Sequence, residues 1–336
     1  MSVHIIAEAG SNYNGSVELA RQLNAVASDA KADSVKYQII YPEGLYRPGE
    51  YAYGHYDIKE VWRIRESGVL DDDSWRAIAA DALERGILFS ASIFDTRGLD
   101  LLCGLDPPYL KIASCDLNNL RFLREVAARG LPMVVSTGMS TLGDIEKAVA
   151  ALAAEGIGGE KLVLLHCVSA YPAPLGSTNL AFLGTLRAAF GTAIGFSDHT
   201  TSHEAACAAV ALGATWIEKH FTTDKTLEGF DHKHAQEPGE LAAYVAAIRE
   251  TEQSITPKVA KIGDAEAYTR QRARRGVYAA RELPAGHVLT SADLAIVRPE
   301  SPIAADRFDE LVGMKLKAPL AAFAPLTWEG LEHSDA

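Results

Sequence analysis

Ser197-Asp198-His199-Thr200 and, about twenty residues on, Ile217-Glu218-Lys219-His220-Phe221 each close a short apolar run that follows Gly or Ala. They read as two neighbouring strands, each ending in a histidine. Two imidazoles at one rim of a barrel are how a protein builds a divalent-metal site, and that points to an enzyme. Working outward, short β-branched runs alternate with Ala/Leu/Glu-rich segments of helical period. The predicted strands are 3–8, 33–39, 87–92, 109–113, 132–136, 161–166, 193–198 and 215–220. Helices are expected over 16–30, 73–85, 118–129, 141–154, 179–190 and 201–212, with Thr141 (Glu146 nearby) and Ser202 as starts. Eight such units predict a (β/α)8 barrel. A doubly wound sheet competes, but no GxGxxG follows the first strand.

The rhythm breaks after a helix around 241–254. The expected division is a barrel over 1–255, a linker over 256–275 and a small domain over 276–336. The linker ends in Arg270, Arg272, Arg274 and Arg275 and reads as a solvated connector. The last segment reads as short strands and turns. It carries an internal echo, Val288-Leu289-Thr290 with Asp293-Leu294 against Pro325-Leu326-Thr327 with Gly330-Leu331. A mostly β unit of about 60 residues is expected, small enough to lean on another surface.

Composition narrows the function. Of 336 residues, 48% are hydrophobic and 23% charged, as in an ordinary globular protein. With 32 basic against 44 acidic side chains the net charge is −12, which disfavours nucleic acid or an anionic membrane as partner. Cys103, Cys115, Cys167 and Cys207 show no CxxC spacing and read as buried, reduced thiols. The apolar pattern begins at Val3 and no run is long enough to span a bilayer, so a cytoplasmic protein is expected.

In a (β/α)8 barrel the chemistry gathers at the carboxyl ends of the strands. Those ends carry Glu8, Lys36, Gln38, Ser92, Lys111, Ser114, Ser136, Thr137, His166, Ser169, Ser197, His199, Glu218 and His220. Lysines and serines converging there suit a ligand with phosphate and carboxylate groups. Side chains alternate along a strand, so Lys36 with Gln38, Ser197 with His199, and Glu218 with His220 point the same way. Lys219 then faces the helices. Lys36 and Lys111 sit inside apolar runs, where an unpaired ammonium is costly. His166 is as consistent with packing as with function. Of Asp231-His232-Lys233-His234, in the loop after the eighth strand, the histidines read as solvated and Asp231 as able to reach the mouth.

These residues resemble a family. Ile6-Ala7-Glu8-Ala9-Gly10 with Asn12-Tyr13-Asn14-Gly15 resembles the opening of sialic acid synthases. Val35-Lys36-Tyr37-Gln38, Tyr109-Leu110-Lys111-Ile112-Ala113-Ser114, Ser136-Thr137-Gly138-Met139, Ser197-Asp198-His199-Thr200 and Glu218-Lys219-His220-Phe221 continue the match in order. Gly286, Leu289-Thr290, Asp293-Leu294 and Arg298-Pro299 resemble the antifreeze-like (SAF, β-clip) domain that follows the barrel in that family. The resemblance implies condensation of phosphoenolpyruvate with an aldose, giving a nonulosonic (2-keto-3-deoxy sugar) acid and phosphate. It implies that Lys36, Lys111, Ser92, Ser114, Ser136, Ser169 and Ser197 hold phosphoenolpyruvate. His199 and His220 would bind a divalent metal (Mn, Mg or Co). Glu8, Gln38, Tyr171 and Asp231 would hold the acceptor and manage protons, Glu8 as general acid or base and the two lysines steadying the departing phosphate. Arg298 would reach over the acceptor, and a domain-swapped homodimer is implied.

Departures from the family pattern gather on the acceptor side: Ala91-Ser92-Ile93-Phe94, Gly229-Phe230-Asp231-His232, Ala235-Gln236-Glu237-Pro238 and Arg298-Pro299-Glu300-Ser301-Pro302. The loop after the second strand is long and aromatic, with Tyr41, Tyr46, Tyr51, Tyr53, His55, Tyr56 and Trp62. Together these predict an acceptor other than N-acetylmannosamine. Keto-octulosonate and heptulosonate synthases share the barrel but lack the small domain. Two other readings are a Schiff-base aldolase using Lys36 or Lys111 and a barrel that binds carbohydrate without catalysis.

Overall fold

The computed structural model describes residues 2–53, 56–257 and 262–334, so His55 and part of the 256–275 stretch lie outside the described residues. Eight parallel strands close a barrel: β1 His4–Gly10, β2 Ser34–Ile39, β3 Leu88–Ile93, β4 Leu110–Ile112, β5 Met133–Ser136, β6 Leu162–Cys167, β7 Ala193–Asp198 and β8 Trp216–His220. Each strand pairs with its sequence neighbours, and β1 pairs with β8 in the register His4↔Trp216 to Glu8↔His220. The doubly wound alternative is thereby excluded. Strands such as Leu162–Cys167 are buried at every residue, which explains why they read as continuous apolar runs rather than alternations.

The barrel interior is graded. His4 stacks on Trp216 at the amino-terminal end, their ring centroids 4.0 Å apart. Above them Ile6, Val134, Val163 and Leu165 form an apolar plug. Gly195 leaves room for it, since a Cβ there would lie 2.5 Å from Leu165 Cδ2. The next inward positions are Glu8, Lys36, Ser92, Lys111, Ser136, Ser197 and Glu218, so polarity begins one layer below the carboxyl rim. Outside the strands a second, larger core is filled by helices, for example Leu123 and Val126 from Leu120–Ala127.

Several helices start as the sequence predicts. Thr141 caps Leu142–Ala154, although its capping-box partner is Asp144 and not Glu146, because the third helical position is the one that reaches back to the cap. Ser202 is not a cap; the helix Glu204–Ala211 begins after His203 without a side-chain cap. Other helices escaped the sequence reading, two of them in the barrel unit and longer than one turn. Thr96–Cys103 is short and capped by Asp95, whose Oδ1 accepts from Gly98 N at 2.7 Å. Ile58–Ser67 lies in the loop expected to be merely aromatic. In that loop Tyr41 is fully buried with the Arg97 guanidinium 3.7 Å from its ring centroid, so it is core and not an exposed sugar platform.

The chain divides into Met1–Thr256 and Pro257–Ala336. Within the stretch expected to be a connector, Asp264–Ala273 forms a helix, exposed nearly throughout, and Gln271 O accepts from Glu300 N at 3.0 Å. Its Ala, Glu, Gln and Arg content favours a helix even without an apolar face. The rest of this unit holds two antiparallel pairs, β9 Gly276–Ala279 with β10 Leu294–Val297 and β11 Met314–Leu316 with β12 Leu331–His333. The internal echo is structural. Thr290 caps the turn into β10 and Thr327 the turn into β12. Leu283 and Leu320 exchange both backbone hydrogen bonds between the halves, and the leucines of both halves share one core. Asp293, buried, accepts from Arg281, His287 and both Thr290 donors. Among the described residues no helix is long and apolar enough to cross a membrane.

Candidate functional site

At the carboxyl end of the barrel the strand ends enclose a cavity of about 290 Å³. Of the residues singled out from the sequence, Glu8, Lys36, Gln38, Ser92, Lys111, Ser114, Ser136, Ser169, Tyr171, Ser197, His199 and His220 all line it. Asp231 stands beside it, its Oδ2 2.7 Å from where a Gly10 Cβ would lie, a space that Gly10 with its φ of +57° keeps clear. Arg298 is exposed in the second unit. His166 points the other way and is packed, its Nε2 2.7 Å from Thr178 O. His232 is buried, with Nδ1 2.7 Å from Thr222 Oγ1, which corrects its reading as solvated. Lys219 faces outward, as parity predicts, in a buried pair with Asp198 at 3.1 Å, and Tyr244 OH donates to the same carboxylate.

Four charges form the floor. Lys36 Nζ lies 2.5 Å from Glu8 Oε2 and 3.6 Å from Glu218 Oε2, and donates to Ser92 Oγ at 2.9 Å. Lys111 Nζ donates to Ser136 Oγ at 2.7 Å and lies 3.8 Å from Glu218. Ser197 Oγ donates to Glu218 Oε1 at 2.8 Å, and Gln38 Nε2 to Glu8 Oε1 at 3.0 Å. Burial and the Glu218 charge push Glu8 up to about 7, against the pull of Lys36. Burial also acts against ionised Glu218, but the two lysines overcome it and hold that carboxyl at about 2. Burial lowers Lys111, whereas for Lys36 the two carboxylates outweigh burial and raise it. The result is one firmly ionised carboxylate and one that exchanges a proton near neutrality, a division of labour suited to acid–base chemistry.

Glu218, a strand end in the sequence, also lines the cavity, and its parity with His220 is the signal that places it there. Cys167 was also missed. It is the inward residue at the end of β6, within 3.1 Å of Ser114 Oγ. The expectation of four buried thiols is corrected here, since Cys167 is buried but Cys115 is exposed and the other two are intermediate; all four are free. Cys103 and Cys207 lie on the helices Thr96–Cys103 and Glu204–Ala211, and Cys115 faces the open cavity at the barrel mouth.

The opposite wall is imidazole and phenol. His199 and His220 have ring centroids 5.6 Å apart, and Tyr171 packs against His199 at 4.1 Å. His199 Nδ1 is engaged by Val168 O at 2.8 Å, leaving Nε2 towards the cavity. Burial lowers both histidines, His199 to about 4, so both rings are neutral near pH 7. Neutral imidazole with its other nitrogen held by a carbonyl is the form a divalent metal requires. His220 Nδ1 and Asp231 Oδ2 are buried without a partner, and Asp231 acts electrostatically on His220. These residues fit a divalent ion held by two imidazoles, with its other positions open. No group of three or more His, Cys, Asp or Glu able to hold a metal occurs among the described residues.

Residues 23–260 match the model of the NeuB family, and residues 274–332 that of the SAF domain. An N,N'-diacetyllegionaminic acid synthase of Campylobacter jejuni is 34% identical, the alignment covering 92% of this chain and 94% of the relative. An N-acetylneuraminate-9-phosphate synthase of Drosophila melanogaster is 35% identical, covering 94% and 92%. Among solved structures, an N-acetylneuraminic acid (sialic acid) synthetase from Leptospira borgpetersenii in complex with citrate superposes with a TM-score of 0.71. It is 33% identical, over 80% of this chain and 90% of that one.

Proposed function

The chain belongs to the NeuB family, and from that premise we propose that it condenses phosphoenolpyruvate with an aldose to give a nonulosonic acid and phosphate. One observation carries the reading. A single cavity sets two buried lysines and a ring of serines against two neutral imidazoles, so a doubly anionic substrate and a polarisable carbonyl can meet there. In this reading Lys36, Lys111 and the hydroxyls of Ser92, Ser114, Ser136, Ser169 and Ser197 hold the phosphate and carboxylate of phosphoenolpyruvate. Gln38, Tyr171, Asp231 and Arg298 hold the acceptor.

The enol carbon C3 attacks the aldehyde carbon, a C–C bond forms, and positive charge develops at C2. Water adds at C2 and loses a proton, the former aldehyde oxygen takes one up, and the C2–O bond to phosphate breaks as the C2 hydroxyl gives its remaining proton to the departing phosphate. Glu8, which exchanges a proton near neutrality, takes or gives one of these protons within the cavity. Lys36 and Lys111 steady the charge on the departing phosphate, and ionised Glu218 keeps the pair oriented in its absence. His199 and His220 would hold a divalent ion (Mn, Mg or Co), which when bound would supply Lewis acidity to the acceptor carbonyl. The proposal includes a homodimer, a cytoplasmic location and an acceptor other than N-acetylmannosamine.

Phosphate release from phosphoenolpyruvate with a panel of aldoses, with and without Mn and then with chelator, tests this. Release that needs both metal and one aldose is expected. No release with any aldose would sink it, and equal or better turnover of N-acetylmannosamine would sink the acceptor reading. The lowered Lys111 favours one alternative, a Schiff base with pyruvate; trapping by borohydride and indifference to chelator would establish it.

A further inference from the structure

The seam between β7 and β8 changes character at its carboxyl end. Its ladder runs from Gly195↔Trp216 to Asp198↔Lys219, the last register pair. His199 and His220 stand one residue further on, and there the two chains part. His199 O accepts from Ala173 N at 2.8 Å and His220 O from Gln236 N at 2.8 Å, so each backbone turns to a different segment. The ladder thus stops one residue short of the two imidazoles. What crosses the seam beyond it is a side chain.

Lys219 points outward from β8, and its Nζ meets the neighbouring chain twice. It lies 3.1 Å from Asp198 Oδ2 and donates to Thr200 O, so its two acceptors flank His199. Asp198 closes the clasp from its own side, Oδ1 accepting from Thr200 N at 2.8 Å and Oδ2 from Tyr244 OH at 2.8 Å. Tyr244 belongs to the helix Pro238–Ile255, and its ring centroid stands 5.1 Å from the ammonium. The side chains of Lys219 and Asp198 are 1% and 0% exposed, and neither lines the cavity. A buried ion pair is a poor source of stability, because desolvation offsets the attraction and apolar side chains of similar volume serve as well. What it does supply is one geometry, since parting the strand ends would leave a buried charge bare. A metal site needs that, because its ligand distances tolerate only about 0.2 Å.

We propose that Lys219 is a positioning residue for the metal: clasped to Asp198 and Thr200 and backed by Tyr244, it holds the His199 and His220 rings, 5.6 Å apart, at the separation that lets one divalent ion take both. This rests on the proposed metal site. The phosphate half of the cavity is independent of the clasp. Lys36 and Lys111 stand on β2 and β4, and Ser197 and Glu218 are held within the ladder itself.

Calorimetric titrations with Mn and, separately, with inorganic phosphate test this on the full-length wild type, His199→Ala, Tyr244→Phe and the double variant Lys219→Met with Asp198→Leu. The double variant removes both charges together, so neither is left bare. Its Mn affinity should fall roughly tenfold or more, with phosphate affinity unchanged. Tyr244→Phe keeps the pair and should lose roughly threefold in Mn affinity alone. If the double variant does not fold, Tyr244→Phe decides, and unchanged Mn binding there would overturn the proposal. Mn binding lost in His199→Ala but intact in the double variant would overturn the positioning role and leave the metal site standing. Equal losses for Mn and phosphate would mark the pair as merely structural and overturn the role as well. A wild type that binds no Mn, or binding indifferent to His199→Ala, would overturn the metal site and the proposal with it.

Discussion

Replacing Glu218 by Gln should weaken the protein and strengthen its grip on phosphate. Glu218 faces Lys36 at 3.6 Å and Lys111 at 3.8 Å, all three side chains almost wholly buried. At an effective dielectric of about 20 each attraction is worth roughly 4 kcal/mol, so about 8 kcal/mol is lost in gross terms. Two effects offset it. The carboxylate no longer needs to be desolvated, worth several kcal/mol. Glu8 also loses a like-charged neighbour, so it ionises fully and takes up part of the lysines' charge. The amide oxygen can still accept from Ser197. A net loss of about 3 kcal/mol is expected, as for other broken buried pairs. In exchange, removing one negative charge some 8 Å from a bound phosphate is worth about 2 kcal/mol, more than tenfold in affinity. The two readouts are urea unfolding at pH 8 followed by tryptophan fluorescence, and calorimetric titration with inorganic phosphate. A pH series adds a third. The folded protein holds the Glu8 proton more tightly than the unfolded chain, so the wild type should lose roughly 3 kcal/mol as pH rises from about 4.5 to about 7. In Glu218→Gln that slope should flatten. A variant as stable as the wild type that binds phosphate no better would show that water already screens these charges and that the reasoning is wrong.

Three further tests are simpler. His199→Ala and His220→Ala should each cut Mn affinity at least tenfold by calorimetry while leaving the far-ultraviolet circular dichroism unchanged; unaltered Mn binding would remove the imidazoles from the metal reading. Gly138→Ala would set a Cβ 2.4 Å from Ser169 Oγ and 2.6 Å from Cys167 Sγ, so phosphate binding should fall sharply with little change in unfolding midpoint. Thr141→Ala removes the side-chain half of a capping box, leaving the backbone N–H of residue 141 on Asp144, and should cost about 1 kcal/mol of barrel stability, with the kinetics untouched.

The barrel was legible because its strands are buried on both faces and punctuated by Gly, Pro and capping residues, so their ends could be placed to within a residue or two. Parity then located most of the cavity lining, including the outward turn of Lys219. It could have located Glu218 and Cys167 too, since each sits in step with an inward neighbour. What no pattern revealed was tertiary. Nothing local says that His232 is sealed by Thr222, that Tyr41 is core, or that Arg65 ends beneath Phe230, because each depends on how the chain folds back on itself. The helix Thr96–Cys103 was missed for a different reason: two turns are too short for a period to stand out.

The seam between β1 and β8 has a consequence for synthesis. A ribosome delivers β1 about two hundred residues before β8, on the order of ten to forty seconds at ordinary elongation rates. Throughout that interval the first strand offers an open edge to any passing chain, and Lys36 and Lys111 have emerged without Glu218. The half-made barrel is sticky at its open edge, and Lys36 and Lys111 share Glu8 as the one floor carboxylate yet made. Nascent chains stalled before residue 216 should therefore be ones that chaperones hold, and release should follow once His220 has cleared the ribosome and the last strand settles against the first.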